Sequence, residues 1–175
     1  LDAITGIGDL DPDSIKLSAT SISADTTNGL INISNNSASD ATITSLTTDT
    51  GNITFTQAGG GNVSVHSIAT TTSGDVSITG TAVTIGSGTP VTPWINTSGD
   101  TTITHTGLLT IYDSTSDADI VNADIVTGGS FSETGGGGLR IAGDISTGTT
   151  GNITFASNAV CPGNVALTTN QTGTG

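Results

Sequence analysis

The stretch TTDTGNITF at residues 47–55 contains the unit that decides the fold of this 175-residue chain. Its core is a glycine, then Asn or Asp, then apolar residues at the second and fourth positions after the glycine. The unit recurs as GDVSI at 74–78, GDTTI at 99–103, GNITF at 151–155 and, more loosely, as GLINI at 29–33. The sequence therefore indicates a protein built from repeats.

The glycines of these units set the period. Successive glycines lie 22, 23 and 25 residues apart from Gly29 to Gly99, and the last interval, to Gly151, is 52 residues, or two periods of 26. This spacing predicts a degenerate copy near 125–129, where TGGSF occupies 127–131. A fixed period in the low twenties is typical of a solenoid.

Apolar and polar residues alternate within each period, which is the periodicity of a β-strand. Ile53 and Phe55 alternate with polar neighbours, and Val63 and Val65 do so after a glycine-rich turn. Two clear strands and a third per period form one coil of a parallel β-helix. The predicted fold is all-β, a parallel β-helix of about six to seven coils of 22–26 residues. An antiparallel β-sandwich also explains the alternation, but not the constant period.

The Gly-Asn or Gly-Asp pair is interpreted as a corner of each coil. Glycine permits positive φ there, and Asn or Asp can hydrogen-bond neighbouring backbone. Stacked corners are expected to place Asn52 near Asp75, and Asp75 near Asp100. Those two carboxylates would repel each other unless they are splayed, solvated or bridged by a cation.

Composition excludes several functions. The net charge is −13, and Lys16 and Arg140 are the only strong cations. A nucleic-acid partner is not expected, because its binding needs a basic surface. Membrane insertion of this segment is not expected either, since no apolar run reaches spanning length. The chain starts without Met or a signal peptide, so it is interpreted as a processed chain or a piece of a longer protein.

The period divides the chain into three parts. Residues 1–28 are predicted to form an amino-terminal coil or cap, residues 29–168 the β-helix repeats, and residues 169–175 a flexible tail or linker. Residues 86–98 are predicted to bulge from one coil as a loop, and residues 113–124 form an acidic departure. A binding site is expected in these two departures.

Two groups of spaced carboxylates are candidate metal ligands, and calcium is the one cofactor they suggest. Solvated turn aspartates are the alternative interpretation, and the first group fails the EF-hand pattern. No other cofactor is expected. The candidate ligands are Asp9, Asp11, Asp13, Asp113, Asp117 and Asp119.

Trp94 is the candidate ligand-binding residue, because a lone Trp in a proline-bearing loop can stack on a sugar or a partner surface. The alternative is that it covers the side of the solenoid. His66 and His105 are expected to be exposed strand residues, since neither has metal-ligand spacing. Cys161 is expected to be a small buried residue, with linkage between chains as the alternative. No catalytic residue is assigned.

The GNITF and GDVSI units, in a chain rich in Thr, Ser, Gly and Asn and poor in Cys, resemble the repeats of filamentous-haemagglutinin-type proteins. The resemblance covers residues 20–168 and carries no functional residues. These proteins are large bacterial adhesins that are secreted or anchored at the cell surface. The resemblance therefore implies a right-handed parallel β-helix that serves as a stalk or fibre.

The expected function is structural and adhesive: a non-catalytic segment of a bacterial cell-surface or extracellular fibre. Its expected partners are flanking repeats or other copies of the chain, joined end to end, and a glycan or protein of a host or neighbouring cell. The alternative is a carbohydrate-binding or polysaccharide-degrading β-helix. A groove with two or more carboxylates and a cation at its floor would favour the degrading enzyme.

Overall fold

The computed structural model describes residues 1–8, 14–86, 93–114 and 123–170. Within these ranges all regular structure is β-strand. The strands, in chain order, are β1 (Asp2–Ala3), β2 (Ile15–Leu17), β3 (Ser21–Asn28), β4 (Ile31–Asn35), β5 (Ala41–Thr50), β6 (Ile53–Gln57), β7 (Val63–Val65), β8 (Ile68–Ser73), β9 (Val76–Gly80), β10 (Val83–Ile85), β11 (Ile95–Thr97), β12 (Thr101–His105), β13 (Leu109–Ile111), β14 (Ile125–Thr127), β15 (Phe131–Gly135), β16 (Leu139–Ile141), β17 (Ile145–Thr147), β18 (Ile153–Phe155), β19 (Ala159–Val160) and β20 (Leu167–Thr169).

The strands form two sheets in which every pairing is parallel. One sheet has seven strands in the order β18-β15-β12-β9-β6-β4-β2. In the other, β5 belongs to two stacks. Its first half pairs with β7, followed by β10, β13, β16 and β19, and its second half pairs with β8, followed by β11, β14, β17 and β20. About seven turns stack in this way, so the predicted parallel solenoid is confirmed and the β-sandwich is wrong.

The interior is built from columns of side chains that repeat from coil to coil. Each buried Val, Ile or Phe stabilises the fold by about 1.5–3 kcal/mol relative to an exposed one. The first column is Ile31, Ile53, Val76, Thr101, Phe131 and Ile153. The second column is Ile33, Phe55, Ile78, Ile103, Glu133 and Phe155. The third column contains Asn35 next to Gln57, and Gly80, His105 and Gly135 further along.

The corner glycines are required for two different reasons. Gly29, Gly51 and Gly74 have φ of 115°, 114° and 131°, as the sequence predicts. Gly99 and Gly151 lie outside this left-handed region, so positive φ does not explain them. There a Cβ atom would collide with the coil below, with Asp75 and Gly74 at Gly99, and with Gly129 at Gly151.

The degenerate copy near residue 127 is present as a full coil. β14 pairs with β11 and β17, and β15 pairs with β12 and β18. The loop predicted over 86–98 is too long, because Ile95–Thr97 is the strand β11, which pairs with β8. At the two ends of the chain, β1 and β3 pair in the second sheet, and β20 extends to Thr169.

Candidate functional site

Most of the candidate calcium ligands cannot be placed. Asp9, Asp11, Asp13, Asp117 and Asp119 lie outside the described residues.

Asp113 is described and is half-buried after β13. In the described ranges no three His, Cys, Asp or Glu side chains come together in a way that could hold a metal ion. The calcium site stays a prediction.

Trp94 lies in the hydrophobic core with 1% of its surface exposed. Its indole Nε1 is buried without a hydrogen-bond partner among the described residues and faces the backbone of Gly86. Stacking on a sugar needs an accessible ring face, and this position gives the ring a packing role instead. We therefore base no ligand proposal on Trp94.

Two expectations about single residues are wrong. His105, expected on the surface, is 1% exposed. Cys161, expected in the interior, is exposed, as are both residues of the neighbouring strand β19. His66 is half-buried after β7.

The buried charge cluster consists of His105, Glu133 and Ser157. It brings an imidazole, a carboxylate and a hydroxyl together in the interior of the described chain. Glu133, the only glutamate of the sequence, occupies the second column between Ile103 and Phe155. His105 Nε2 lies 2.6 Å from Glu133 Oε1, and both side chains are fully buried. Among the polar residues of β15, Glu133 therefore places its carboxylate in the interior of the solenoid.

Glu133 accepts a hydrogen bond at every contact. Oε2 accepts from the backbone N–H groups of Ala156 and Ser157 at 2.9 and 3.0 Å, and Oε1 accepts from Ser157 Oγ at 2.9 Å. Burial alone would raise the pKa of this carboxyl. The backbone and hydroxyl of Ser157 and then the hydrogen bond and charge of His105 hold the pKa below its ordinary value of 4.5.

The cluster is not arranged for nucleophilic catalysis. A catalytic serine needs a base within hydrogen-bond reach, and the base in turn needs an orienting acid. Here the acid stands between the other two groups, because Glu133 separates Ser157 from His105. His105 Nδ1 lies 2.7 Å from the carbonyl oxygen of Gly107, so it donates a proton there. The geometry fits a structural link between coils.

A second interior polar site, at the other end of the third column, is uncharged. Asn35 Nδ2 donates to Gln57 Oε1 and to the Ala19 carbonyl, both at 2.8 Å, and its Oδ1 accepts from Ala19 N–H at 2.9 Å. Gln57 Nε2 donates to the Ser37 carbonyl at 2.6 Å. These two amides satisfy backbone groups that the turns leave without strand partners.

The corners form a hydrogen-bonded ladder along the outside of the solenoid. Asn52 Oδ1 accepts Asp75 N–H at 2.9 Å, Asp75 Oδ1 accepts Asp100 N–H at 2.9 Å, and Asp100 Oδ1 accepts Ser130 N–H at 2.7 Å. Ser130 Oγ then accepts Asn152 N–H at 3.1 Å. The predicted stacking of these corners is confirmed. Each carboxylate binds an amide of the next coil, which fixes the position of its charge.

A buried threonine column was not anticipated from the sequence. Its members are at most 3% exposed, and their hydroxyls donate to corner carbonyls such as those of Gly29, Gly74 and Gly99. The sequence does contain a signal for this column, because each of its threonines precedes a corner glycine by two to four residues. The threonines are Thr26, Thr48, Thr70, Thr97, Thr127 and Thr147.

A groove of about 400 Å³ crosses the stack that contains β8, β11, β14 and β17. Asn96, Ser98 and Asn170 are exposed along it, Ser146 contributes a hydroxyl, and Val126 is half-buried at its centre. None of the described residues that line it carries a charge. The groove therefore offers hydrogen-bonding groups around a small apolar surface.

Comparison of the chain with family models, with curated proteins and with solved structures gave no match. The fold defines the class of the protein, which is a parallel β-solenoid. In the described ranges no helix has the length and apolar character needed to cross a membrane.

Proposed function

We propose that the chain is a structural and adhesive segment of a bacterial surface or extracellular fibre, in which it serves as a stalk. The observation that carries this proposal is the parallel strand pairing that continues through every described coil. Such pairing makes a rod that lengthens by adding coils, because each coil contacts only its neighbours. The acidic, hydroxyl-rich surface keeps such a rod hydrated.

The outermost described strands support end-to-end extension. β2 and β18 each pair on one side only, and unpaired strand edges accept a further strand. If the chain continued in the same register, Ile15 would stack on Phe155 and Ile7 on Ile153, which prolongs the first and second columns. The added coil comes from flanking repeats of a longer protein or from another copy.

The experiment is electron microscopy of the purified chain together with sedimentation. Filaments with a regular axial repeat support assembly of copies, and Phe155→Asp is expected to abolish them. Thr154→Asp, which places the same charge on the outward side of β18, is the matched control. Discrete particles of the unmodified chain overturn self-assembly. Adhesion is tested separately with coated beads, and failure to retain cells or glycans overturns the adhesive role.

The groove favours one second candidate, binding of a neutral glycan. Successive strands of the groove place Asn96, Val126 and Ser146 in register, about 4.8 Å apart, so an extended sugar chain lying along the axis would meet an amide, an apolar group and a hydroxyl in turn. Hydrolysis needs two carboxylates near the bond. The described groove lining carries none, so the candidate function is binding.

Titration calorimetry with neutral and anionic oligosaccharides tests this candidate. Asn96→Ala is expected to weaken binding of a neutral oligosaccharide, whereas Asn32→Ala, at an outward position of β4 in the other sheet, is expected to leave it unchanged. Equal loss in both variants, or the absence of binding in the unmodified chain, overturns the groove as a glycan site.

A further inference from the structure

The buried charge cluster joins three successive coils at one point. His105 ends β12, Glu133 lies in β15, and Ser157 follows β18. Glu133 holds the turn after β18 through two backbone N–H groups and one hydroxyl, and it holds β12 through the imidazole. One ionised carboxylate is therefore the common acceptor for four donors.

The coil on the far side of this link buries little apolar surface. In this final coil, residues 151–170, both residues of β19 are exposed, and Val160 and Leu167 are 65% and 45% exposed. Ile153 and Phe155 are only partly buried. By contrast, Ile53 and Phe55 at the same two columns are completely buried. Because hydrophobic burial is smaller here, polar contacts contribute a larger share of docking.

No other described titratable group competes for Glu133. The neighbouring strands of its stack, β9, β12 and β18, contribute only His105. Arg140 of β16 lies over the exposed ring of Tyr112, 5.9 Å from its centroid. Asp124 accepts the N–H of Asp144, and Asp100 accepts from Ser130 in the outer ladder. Asp144 accepts the N–H of Ala166 at 2.6 Å, so it makes a second contact to the final coil, separate from the turn that Glu133 holds.

We propose that the buried charge cluster is an acid-sensitive lock, which fastens the final coil to the solenoid near neutral pH and releases it when Glu133 takes up a proton. A protonated carboxyl has lost the charge that holds the imidazole and the turn amides. One of its oxygens then carries a hydrogen where the ionised form accepted a bond. Release leaves β15 as the new edge of the first sheet and β16 and β17 as the new edges of the second.

The direction of the pH effect follows from the lowered pKa of Glu133. A carboxyl whose pKa is lower in the folded than in the unfolded state stabilises the fold above the unfolded value and loses that contribution as the pH falls through the folded value. The lock is therefore complete above the ordinary value of 4.5 and opens below it.

Hydrogen exchange read by mass spectrometry, coil by coil, tests the lock in the whole chain. Between neutral pH and about pH 3, protection factors in the final coil are expected to fall about tenfold or more, since each hydrogen bond to a charged group is worth about 1.5–3 kcal/mol. Protection in β6 and β9 is expected to stay constant over the same range. Uniform loss along the chain, or an unchanged final coil, overturns the proposal without any variant.

Three substitutions separate the lock from general acid effects. Glu133→Gln cannot ionise, so Ala156 and Ser157, which Glu133 holds in the turn after β18, are expected to show the low protection of the acid state at neutral pH, with no step there on acidification. Ser157→Ala keeps the carboxylate and should retain the step from a slightly lower start. Asp75→Asn, which removes an exposed corner carboxylate, should retain the full step, and a step in Glu133→Gln as large as that of the unmodified chain rejects the lock.

Discussion

From β4 to β9 the first column runs Ile31, Ile53, Val76 without interruption, whereas at β12 the same column holds Thr101. The second column shows the same contrast, because it is apolar until Glu133 interrupts it in β15. The amino-terminal half of the solenoid is thus held mainly by apolar burial. The carboxy-terminal half exchanges part of that burial for specific polar contacts.

The two interior polar sites make the contrast sharper. The Asn35–Gln57 pair satisfies turn backbone with neutral amides, while Glu133 does so with an ionised carboxylate. Buried amides hold their hydrogen bonds at any moderate pH. A buried carboxylate keeps these contacts only while it is ionised, and removing one partner of a buried pair is costly. We therefore expect acid to act on the interior of the carboxy-terminal half and to leave the interior of the amino-terminal half unchanged.

The largest expected effect compares two phenylalanines of the second column. Phe55→Ala, at a fully buried site, is expected to lower the free energy of unfolding by about 3–5 kcal/mol. Phe155→Ala, at a partly buried site in the final coil, is expected to cost about 1–2 kcal/mol. Urea denaturation followed by the emission of Trp94, the single and buried tryptophan, measures the first.

Because Trp94 lies outside the final coil, hydrogen exchange is the readout for Phe155→Ala. Phe155 contacts Phe131 edge to face, with ring centroids 5.9 Å apart, so its loss should also raise exchange in β15. Equal costs at the two sites would contradict the difference in burial between the central and final coils.

An intermediate effect is expected at the neutral pair. Asn35→Ala leaves the Ala19 backbone groups and the Gln57 carbonyl oxygen without their partner, which costs about 1–3 kcal/mol. The cost should be the same at neutral pH and at about pH 4, because no proton is gained or lost at this site. Denaturation midpoints of the variant and the unmodified chain at both pH values measure it, and a pH-dependent difference would break the contrast with Glu133.

The smallest expected effect has the opposite sign. The hydroxyl of Thr101 is buried without a hydrogen-bond partner among the described residues, in a column that holds Val76 one coil earlier. Thr101→Val keeps the shape and removes the cost of burying that hydroxyl, so it should stabilise the fold by about 1 kcal/mol. Thr102→Val, on the outward side of β12, is the matched control and should change the thermal midpoint little.

The repeat could be predicted because one short unit carries both a period and a geometry. The glycine spacing located the coil around 127–131, and the Asn or Asp after the glycine located the stacked corners. Both are local signals that recur at every coil. What repeats in the sequence repeats in space, which is why the fold and the outer ladder were accessible from the chain alone.

The interior polar groups were not predicted, because a polar residue in a strand is read as facing water. Glu133 has the same parity as Phe131, two residues earlier, and that parity points it inward. His105 likewise shares the parity of Ile103. The contact between His105 and Glu133 follows only from the stacking of the coils, since 28 residues separate the two in the sequence. The corner and column patterns gave no reason to look for a charge inside.

The outer ladder has a direction. At every rung the acceptor belongs to the earlier coil and the N–H group to the later one, from Asn52 to Asp75, Asp100, Ser130 and Asn152. A chain that emerges amino end first therefore presents a finished template before the residues that dock on it exist. Such a rod can be built by sequential zipping, in which each coil closes locally on the last and no distant segment is awaited.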